Sequence, residues 1–472
     1  MKKQLTKVCV LVMTFTMVSM HCLVPAYGFS IGEEREVGEK LLFTVRSTFP
    51  LFNDPDLYQY INTLGQEVLS VAGAQYFDFR FFVINDKEFN AFSAFSGMIF
   101  FYAGLIEAVN SENELVAVMA HEIGHTVKRH LATSIEQGNA VSAGTLLLAL
   151  ASMAMGGGVA TQALLSGSMA ANQSMNLHFS RLHEQEADLL SYGWMKKMGR
   201  NPEAMEKMLQ TMRRITRYRS NKVPQYLLTH PDPEARLDYV DSLLVKDKGE
   251  LSKFKAGDDF AFLRFKYRIM SITNDHSNFR SFLAEKIADP HSSQLDITMA
   301  KYGLSQLDRE ENNFDSSLQL IDEVIKAYPD RNILLDDKGV IELAAGRTQS
   351  ALATLTRAYS NDPRDYYATF YLAKVQMNLN NLAEAEKKLK IVVGEMPEYA
   401  QVYYELGHIK ADQKKDGDST YYLGKYYFYS GKTKLAKQMF KAAVEKKDLD
   451  GTLKNDAIDA IKTINRVEEN KG

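Results

Sequence analysis

The sequence predicts a mainly α-helical chain in two parts: an N-terminal helical domain around a small β-sheet, then a C-terminal α-solenoid of stacked helix pairs. Three observations predict it. Two short aromatic-rich runs, Phe77 to Ile84 and Gly97 to Tyr102, read as strands among segments of helical periodicity. A helix with a marked start follows, where Ser111 stands three residues before Glu114 and an apolar run continues from Leu115 to Ala120. In the last third, Pro329, Pro363 and Pro397 recur every 34 residues, the period of a helical repeat.

A chain of 472 residues exceeds one ordinary domain, and 45% apolar with 24% charged residues argues against disorder. Lys+Arg at 56 against Asp+Glu at 59 leaves no basic excess. That argues against nucleic acid as a partner, since phosphate binding needs concentrated positive charge. Lys2, Lys3 and Lys7 precede an apolar stretch from Val8 to Val24, and Pro25-Ala26-Tyr27-Gly28 supplies small residues. Residues 1–28 are therefore expected to be a cleavable signal peptide, with an uncleaved membrane anchor as the alternative. Both cysteines, Cys9 and Cys22, lie within it, so the mature chain is expected to fold without disulfides. Lipidation at Cys22 is disfavoured, because Val18-Ser19-Met20-His21 lacks the small residue needed beside such a cysteine.

Gly32 to Leu69 reads as two helices broken at Asp54-Pro55, and Phe77, Phe79 and Phe81 alternate with Asp78 and Arg80 in the first strand. The strand from Gly97 to Tyr102 has two readings, an edge that pairs with an extended substrate or a plain core strand. From Gln137 to Ser180 there is no Asp, Glu, Lys or Arg. That stretch could be a transmembrane hairpin, a buried helix pair, or a lid or membrane-contacting flap. Its best apolar run, Val141 to Met155, falls short of the roughly 20 residues a bilayer needs, which favours the last. Helical pattern resumes from about Phe179 to Met198, and Asn201-Pro202 starts another helix. In the repeats, Gly339, Ala351, Leu355 and Ala358 stand in register before Pro363, and Leu372, Ala373, Ala385 and Leu389 before Pro397. A further unit has Leu423, Gly424, Tyr427, Ala436, Phe440 and Ala443, preceded by an extra helix near Tyr403 to Lys410. Period and recurring small residues together indicate tetratricopeptide units, whose concave surfaces bind proteins. The expected division is 29–265 for the first domain and 266–472 for the repeats.

The chemistry concentrates in His121-Glu122-Ile123-Gly124-His125. On a helix the two histidines, four apart, share a face and can bind one zinc, with Glu122 beside them to take a proton from water. A catalytic zinc keeps three protein ligands and an open position. The third ligand should sit on another element, because Lys128 and Leu131 stand where His-Glu-x-x-His-x-x-Gly-x-x-His needs glycine and histidine. The best-placed candidate is Glu184 in Arg181-Leu182-His183-Glu184-Gln185-Glu186-Ala187-Asp188. Asp188, four residues on, shares its face and can hydrogen-bond a ligand histidine. Glu186 points elsewhere and is expected to be solvated.

His-Glu-x-x-His followed by Glu-x-Glu-Ala-Asp resembles the HtpX and CAAX prenyl protease superfamily of zinc peptidases. With a signal peptide and tetratricopeptide repeats, the chain is similar to the periplasmic members that serve outer-membrane protein assembly. The resemblance implies one zinc per chain, with His121, His125 and Glu184 as ligands, Glu122 as general base and Asp188 as the supporting acid. The family also carries a His-Pro segment after the second metal helix, matched here by Thr229-His230-Pro231-Asp232-Pro233 and then Arg236. There His230 is either a regulatory fourth ligand or a cap on the helix starting near Pro233. Relatives carry Pro-Gly-Gly before the strand ahead of the metal helix; Phe95-Ser96-Gly97 departs from that and leaves the local turn open. The implied function is an endopeptidase acting on unfolded or misassembled envelope proteins in the periplasm, with repeats that recruit clients or the outer-membrane assembly machinery. The alternative is a chaperone or assembly adaptor with a latent peptidase site. Peripheral membrane contact through 137–180 fits either.

Overall fold

The computed structural model describes residues 29–137, 179–218, 225–254 and 257–469. The expected signal peptide and nearly all of the uncharged 137–180 stretch lie outside the described residues. Helix α1 (Ile31–Thr48) opens on a reciprocal cap: Ser30 Oγ accepts from the Glu33 N–H, and the Glu33 carboxylate accepts from the Ser30 N–H. Helix α2 (Pro55–Ala72) starts as Asp54-Pro55 predicts, with the Asp54 carboxylate accepting from the N–H groups of Asp56 and Leu57.

Strands β1 (Arg80–Ile84), β2 (Ala91–Ser93) and β3 (Met98–Tyr102) form one sheet in the order β1-β3-β2. β1 runs parallel to β3, pairing Arg80 with Met98 through Ile84 with Tyr102, and β2 is antiparallel to β3. β3 is therefore the central strand and all five of its residues are buried. This overturns the edge reading of Gly97 to Tyr102, because both sides of its backbone are already paired. Alternate side chains serve two cores. Met98, Phe100 and Tyr102 pack with Val37, Leu41 and Val45 of α1, while Ile99 and Phe101 join the larger core of α2. The turn before β3 is a single 3₁₀ turn in which Ser96 (φ 58°) and Gly97 (φ 78°) are both left-handed. Ser96 Oγ donates to the Glu34 carbonyl, which holds a non-glycine residue in that conformation.

Short helix α3 (Ala103–Ala108) leads into α4 (Glu112–Val127), whose residues are buried from Glu112 to Thr126. A helix enclosed on all sides needs no polar face, and from Leu115 to Ala120 its sequence is apolar all round; its buried Glu112 and Asn113 are matched by Arg200. Ser111 Oγ accepts from the Glu114 N–H as expected; the Glu114 carboxylate, however, reaches the Asn110 N–H rather than that of Ser111. Arg129 (φ 54°) breaks the chain between α4 and α5 (His130–Gln137). Then come α6 (Arg181–Lys197), α7 (Glu203–Tyr218), α8 (Gln225–Thr229) and α9 (Pro233–Lys246).

The remaining helices are α10 (Asp259–Thr273), α11 (His276–Ala288), α12 (Gln294–Glu310), α13 (Phe314–Ala327), α14 (Ile333–Ala344), α15 (Thr348–Asn361), α16 (Tyr366–Asn378), α17 (Leu382–Glu395), α18 (Ala400–Asp412), α19 (Asp416–Tyr429), α20 (Thr433–Glu445) and α21 (Gly451–Glu469). Small residues lie at the helix crossings: a Cβ on Gly339 would strike Leu355, and one on Gly424 would strike Phe440. The extra helix is α18, and α19 serves twice, against α18 through Leu423 on Gly407 and against α20 through Gly424 on Phe440.

The expected division after residue 265 falls inside α10. Its Phe262, Phe265 and Ile269 belong to the first core, whereas Phe260, Tyr267 and Met270 belong to the first repeat core. The same helix carries Arg264 and Arg268, which clamp Asp337 of α14 at 2.7–2.9 Å and also reach Asp54 and Asp56 of α2. A second seam joins Arg46 of α1 and Arg80 of β1 to Glu398, at 2.7 and 2.9 Å. Among the described residues no helix is long and apolar enough to cross a membrane.

Candidate metal centre

Helix α4 presents His121, Glu122 and His125, and α6 crosses it so closely that a Cβ on Gly124 would sit 3.3 Å from Ala187 Cα. That approach brings Glu184 and Asp188 of α6 to the two histidines. The segment after α8 adds His230. One ligand atom each from His121, His125, Glu184 and His230 lies within 4.8 Å of the others, and all four residues are buried. His121 Nε2 and His125 Nε2 are 3.0 Å apart, His230 Nδ1 is 3.3 Å from His121 Nε2 and 3.1 Å from Glu184 Oε1, and Glu184 lies 3.4 Å from each α4 histidine.

Behind the ligand atoms the histidine orientation is fixed. His121 Nδ1 is 2.9 Å from Asp188 Oδ1, so a proton sits between them, and a metal at the centre would take Nε2, the nitrogen that faces it. Arg236 of α9 grips Asp188 with two hydrogen bonds of 2.8 and 2.9 Å and reaches Glu184 Oε2 at 2.9 Å. Burial and Arg236 oppose charge on His121, but Asp188 and Glu184 outweigh them and lift it to about 9. Burial, with His121 alongside, pushes His125 well below its ordinary range. Glu184 is held well below the usual carboxylate range; burial opposes this, but His230 and Arg236 prevail.

Among the described residues, neither oxygen of the fully buried Glu122 has a hydrogen-bond partner; His230 Nε2 stands 3.4 Å from Oε1. Among the described residues, three buried carboxylates (Glu122, Glu184 and Asp188) face one buried guanidinium, Arg236. Such an excess of negative charge among imidazoles, with a bare carboxylate at its heart, fits a divalent cation and does not fit a dry protein core. Phe179 stacks on His125 with centroids 3.9 Å apart, and Tyr226 stacks on His230 at 4.3 Å. Phe179 and Tyr226 thus pack directly against two of the histidines of the centre.

The reading of His230 as a helix cap is overturned, since α9 is capped by Asp232, whose carboxylate accepts from the Ala235 N–H. Two participants had no clear sequence signal. Arg236 was part of the quoted segment but carried no role, because its partners lie on α6. His130 lies five residues after His125 and would leave that face if α4 continued. Glu186 is half-exposed as expected, yet it also meets His130 at 3.0 Å.

Residues 55–244 match peptidase family M48, and residues 302–365 and 342–406 match tetratricopeptide repeats. The chain is 33% identical over 337 residues to the beta-barrel assembly-enhancing protease of Escherichia coli O157:H7, covering 70% of this chain and 67% of that one. For its counterpart in Escherichia coli strain K12 the figures are 32% over 332 residues, 70% and 67%. Similarity to the mitochondrial metalloendopeptidase OMA1 of Schizosaccharomyces pombe, 29% over 185 residues, covers 39% of this chain and 52% of that one. With the buried donor cluster of α4, α6 and the segment after α8, and the repeats behind it, the chain belongs to peptidase family M48, as a metalloendopeptidase that carries tetratricopeptide repeats.

Proposed function

We propose that the chain is a zinc endopeptidase that cleaves misfolded or stalled proteins of the cell envelope, with His121, His125 and Glu184 as ligands. The observation that carries this is the buried donor set with the unpartnered Glu122 beside it. Zinc in a tetrahedral site keeps its nitrogen and oxygen donors about 3.3–3.6 Å apart, from bonds of about 2.0–2.2 Å. The spacings of 3.0–3.4 Å run from just below that range into it, close enough to support a small divalent ion such as zinc. When bound, it supplies Lewis acidity, lowering the pKa of water to about 7 and polarising a peptide carbonyl. Glu122 takes the proton from the attacking water and passes it to the departing amide nitrogen. Asp188, held by Arg236, keeps His121 in the tautomer that leaves Nε2 free.

Clients in β-barrel assembly are supported by the names of the two Escherichia coli relatives, and a periplasmic location by the leader-like residues 1–28. The repeats would recruit those clients or the assembly machinery. A second reading, a chaperone or adaptor with a latent peptidase, is favoured by one observation: His230 Nδ1 already stands at donor distance, where an attacking water would have to enter.

Metal analysis and casein cleavage on the purified chain test both. Wild type should carry one zinc; Glu122→Gln should keep it and lose cleavage by about 10²–10⁴-fold; His230→Ala should cleave faster. Zinc without cleavage in any form would favour the adaptor. Carefully prepared protein that binds no metal would refute the proposal.

A further inference from the structure

The ligand histidine His125 has its own supporting chain, separate from the Asp188–Arg236 support of His121. Its Nδ1 lies 3.0 Å from His130 Nδ1, and His130 Nε2 lies 3.0 Å from Glu186 Oε2. His130 is buried and its ring stacks on His183 with centroids 4.3 Å apart and planes 13° apart. The left-handed Arg129 creates this contact, turning the chain back so that the first residue of α5 faces the last turn of α4. Arg129 is itself held there by Glu34 and by the Phe29 carbonyl.

We propose that His130 and Glu186 are positioning residues that fix His125 as a metal ligand. This rests on the metal-site reading above. Four hydrogen-bonding atoms on three side chains in line admit few proton arrangements. If His125 offers Nε2 to a metal, its Nδ1 carries the proton and donates to a bare His130 Nδ1. The His130 proton then sits on Nε2 and donates to the Glu186 carboxylate, an acceptor only. The reverse arrangement points an N–H of His125 into the metal centre and sets a bare His130 nitrogen against a carboxylate. Only the first satisfies every atom, and it is the one that prepares His125 to bind. Because Glu186 is half-exposed and also approaches Lys128 at 3.6 Å, this support begins at the protein surface. The two ligand histidines of α4 are therefore steadied from opposite sides, one by a buried Asp–Arg pair and one by a His–Glu pair reaching solvent.

The test measures zinc affinity on the full chain, by competition with a chromogenic chelator, together with the visible absorption of the cobalt-substituted protein. His130→Phe keeps the ring packing and removes both nitrogens; it should weaken zinc about 10–100-fold and alter the cobalt bands. Glu186→Leu should weaken zinc in the same direction, whereas Glu186→Gln, whose amide oxygen still accepts from His130, should bind as wild type does. If His130→Phe fails to fold, the Leu and Gln forms of surface residue 186 still decide. Wild-type affinity in both His130→Phe and Glu186→Leu, or in Glu186→Leu alone where His130→Phe does not fold, overturns the positioning role. Failure of the wild type itself to bind zinc would sink the metal reading instead.

Discussion

Asp188 shows how far single residues could be read from spacing alone. Its place four residues after Glu184 puts both on one face of a helix, and that face meets His121 and Arg236. Asp188→Asn removes the carboxylate that accepts the His121 proton and leaves Arg236 short of a partner. Its zinc affinity should fall about 10–100-fold in chelator competition, and an unchanged value would remove Asp188 from the support of His121. The convergence of His121, Glu122 and His125 on one helix and of Glu184 and Asp188 on a second was legible, because spacing within a helix assigns a face. His130 and Arg236 were not. The first depends on a left-handed break that an arginine occupies, and the second meets its partners only through tertiary packing of α6 against α9.

At the level of elements, two helix starts were readable, since Asp54 and Ser111 both accept from a first-turn N–H; Ser30 and Ser180 do the same without having been singled out. Strand order was not readable. Composition identified β3 as apolar and aromatic, but its neighbours are set by where the chain crosses, so the edge reading failed while the strand itself was found. Helix α1 lies across the turn that precedes β3, and a Cβ at Gly38 would collide with Ser96. Gly38→Val should therefore push α1 from the sheet and cost about 1–3 kcal/mol through overpacking, lowering the apparent melting temperature. Gly394, with no atom within 4 Å of its Cβ direction, is the control: Gly394→Ala should not lower it. Equal melting temperatures for the Gly38→Val variant and wild type would contradict the close approach.

Across the whole molecule, the repeats were legible from proline spacing, whereas the seam was hidden because α10 looks like one more amphipathic helix. Lys266 of α10 is buried, donates to the Val109 carbonyl at 2.8 Å and is pushed down to about 8, chiefly by burial. A lysine lowered in the folded state makes folding less favourable wherever it must be charged. Between about 8 and its usual 10.4 the unfolded chain binds the extra proton, so stability contributed through Lys266 rises with pH in that window. Denaturant unfolding at pH 7.5 and pH 10 should show wild type gaining on Lys266→Met, and a constant gap would refute the shift. Helix α10 also bears on how this protein can be taken apart. Ending a recombinant fragment at residue 265 would strip Ile269 from one core, while the other fragment would start without Phe260. Each piece would then carry a bare greasy groove in water. The two halves are separable in sequence but not as portable parts, and a graft of these repeats onto another enzyme would need to bring α10 with it.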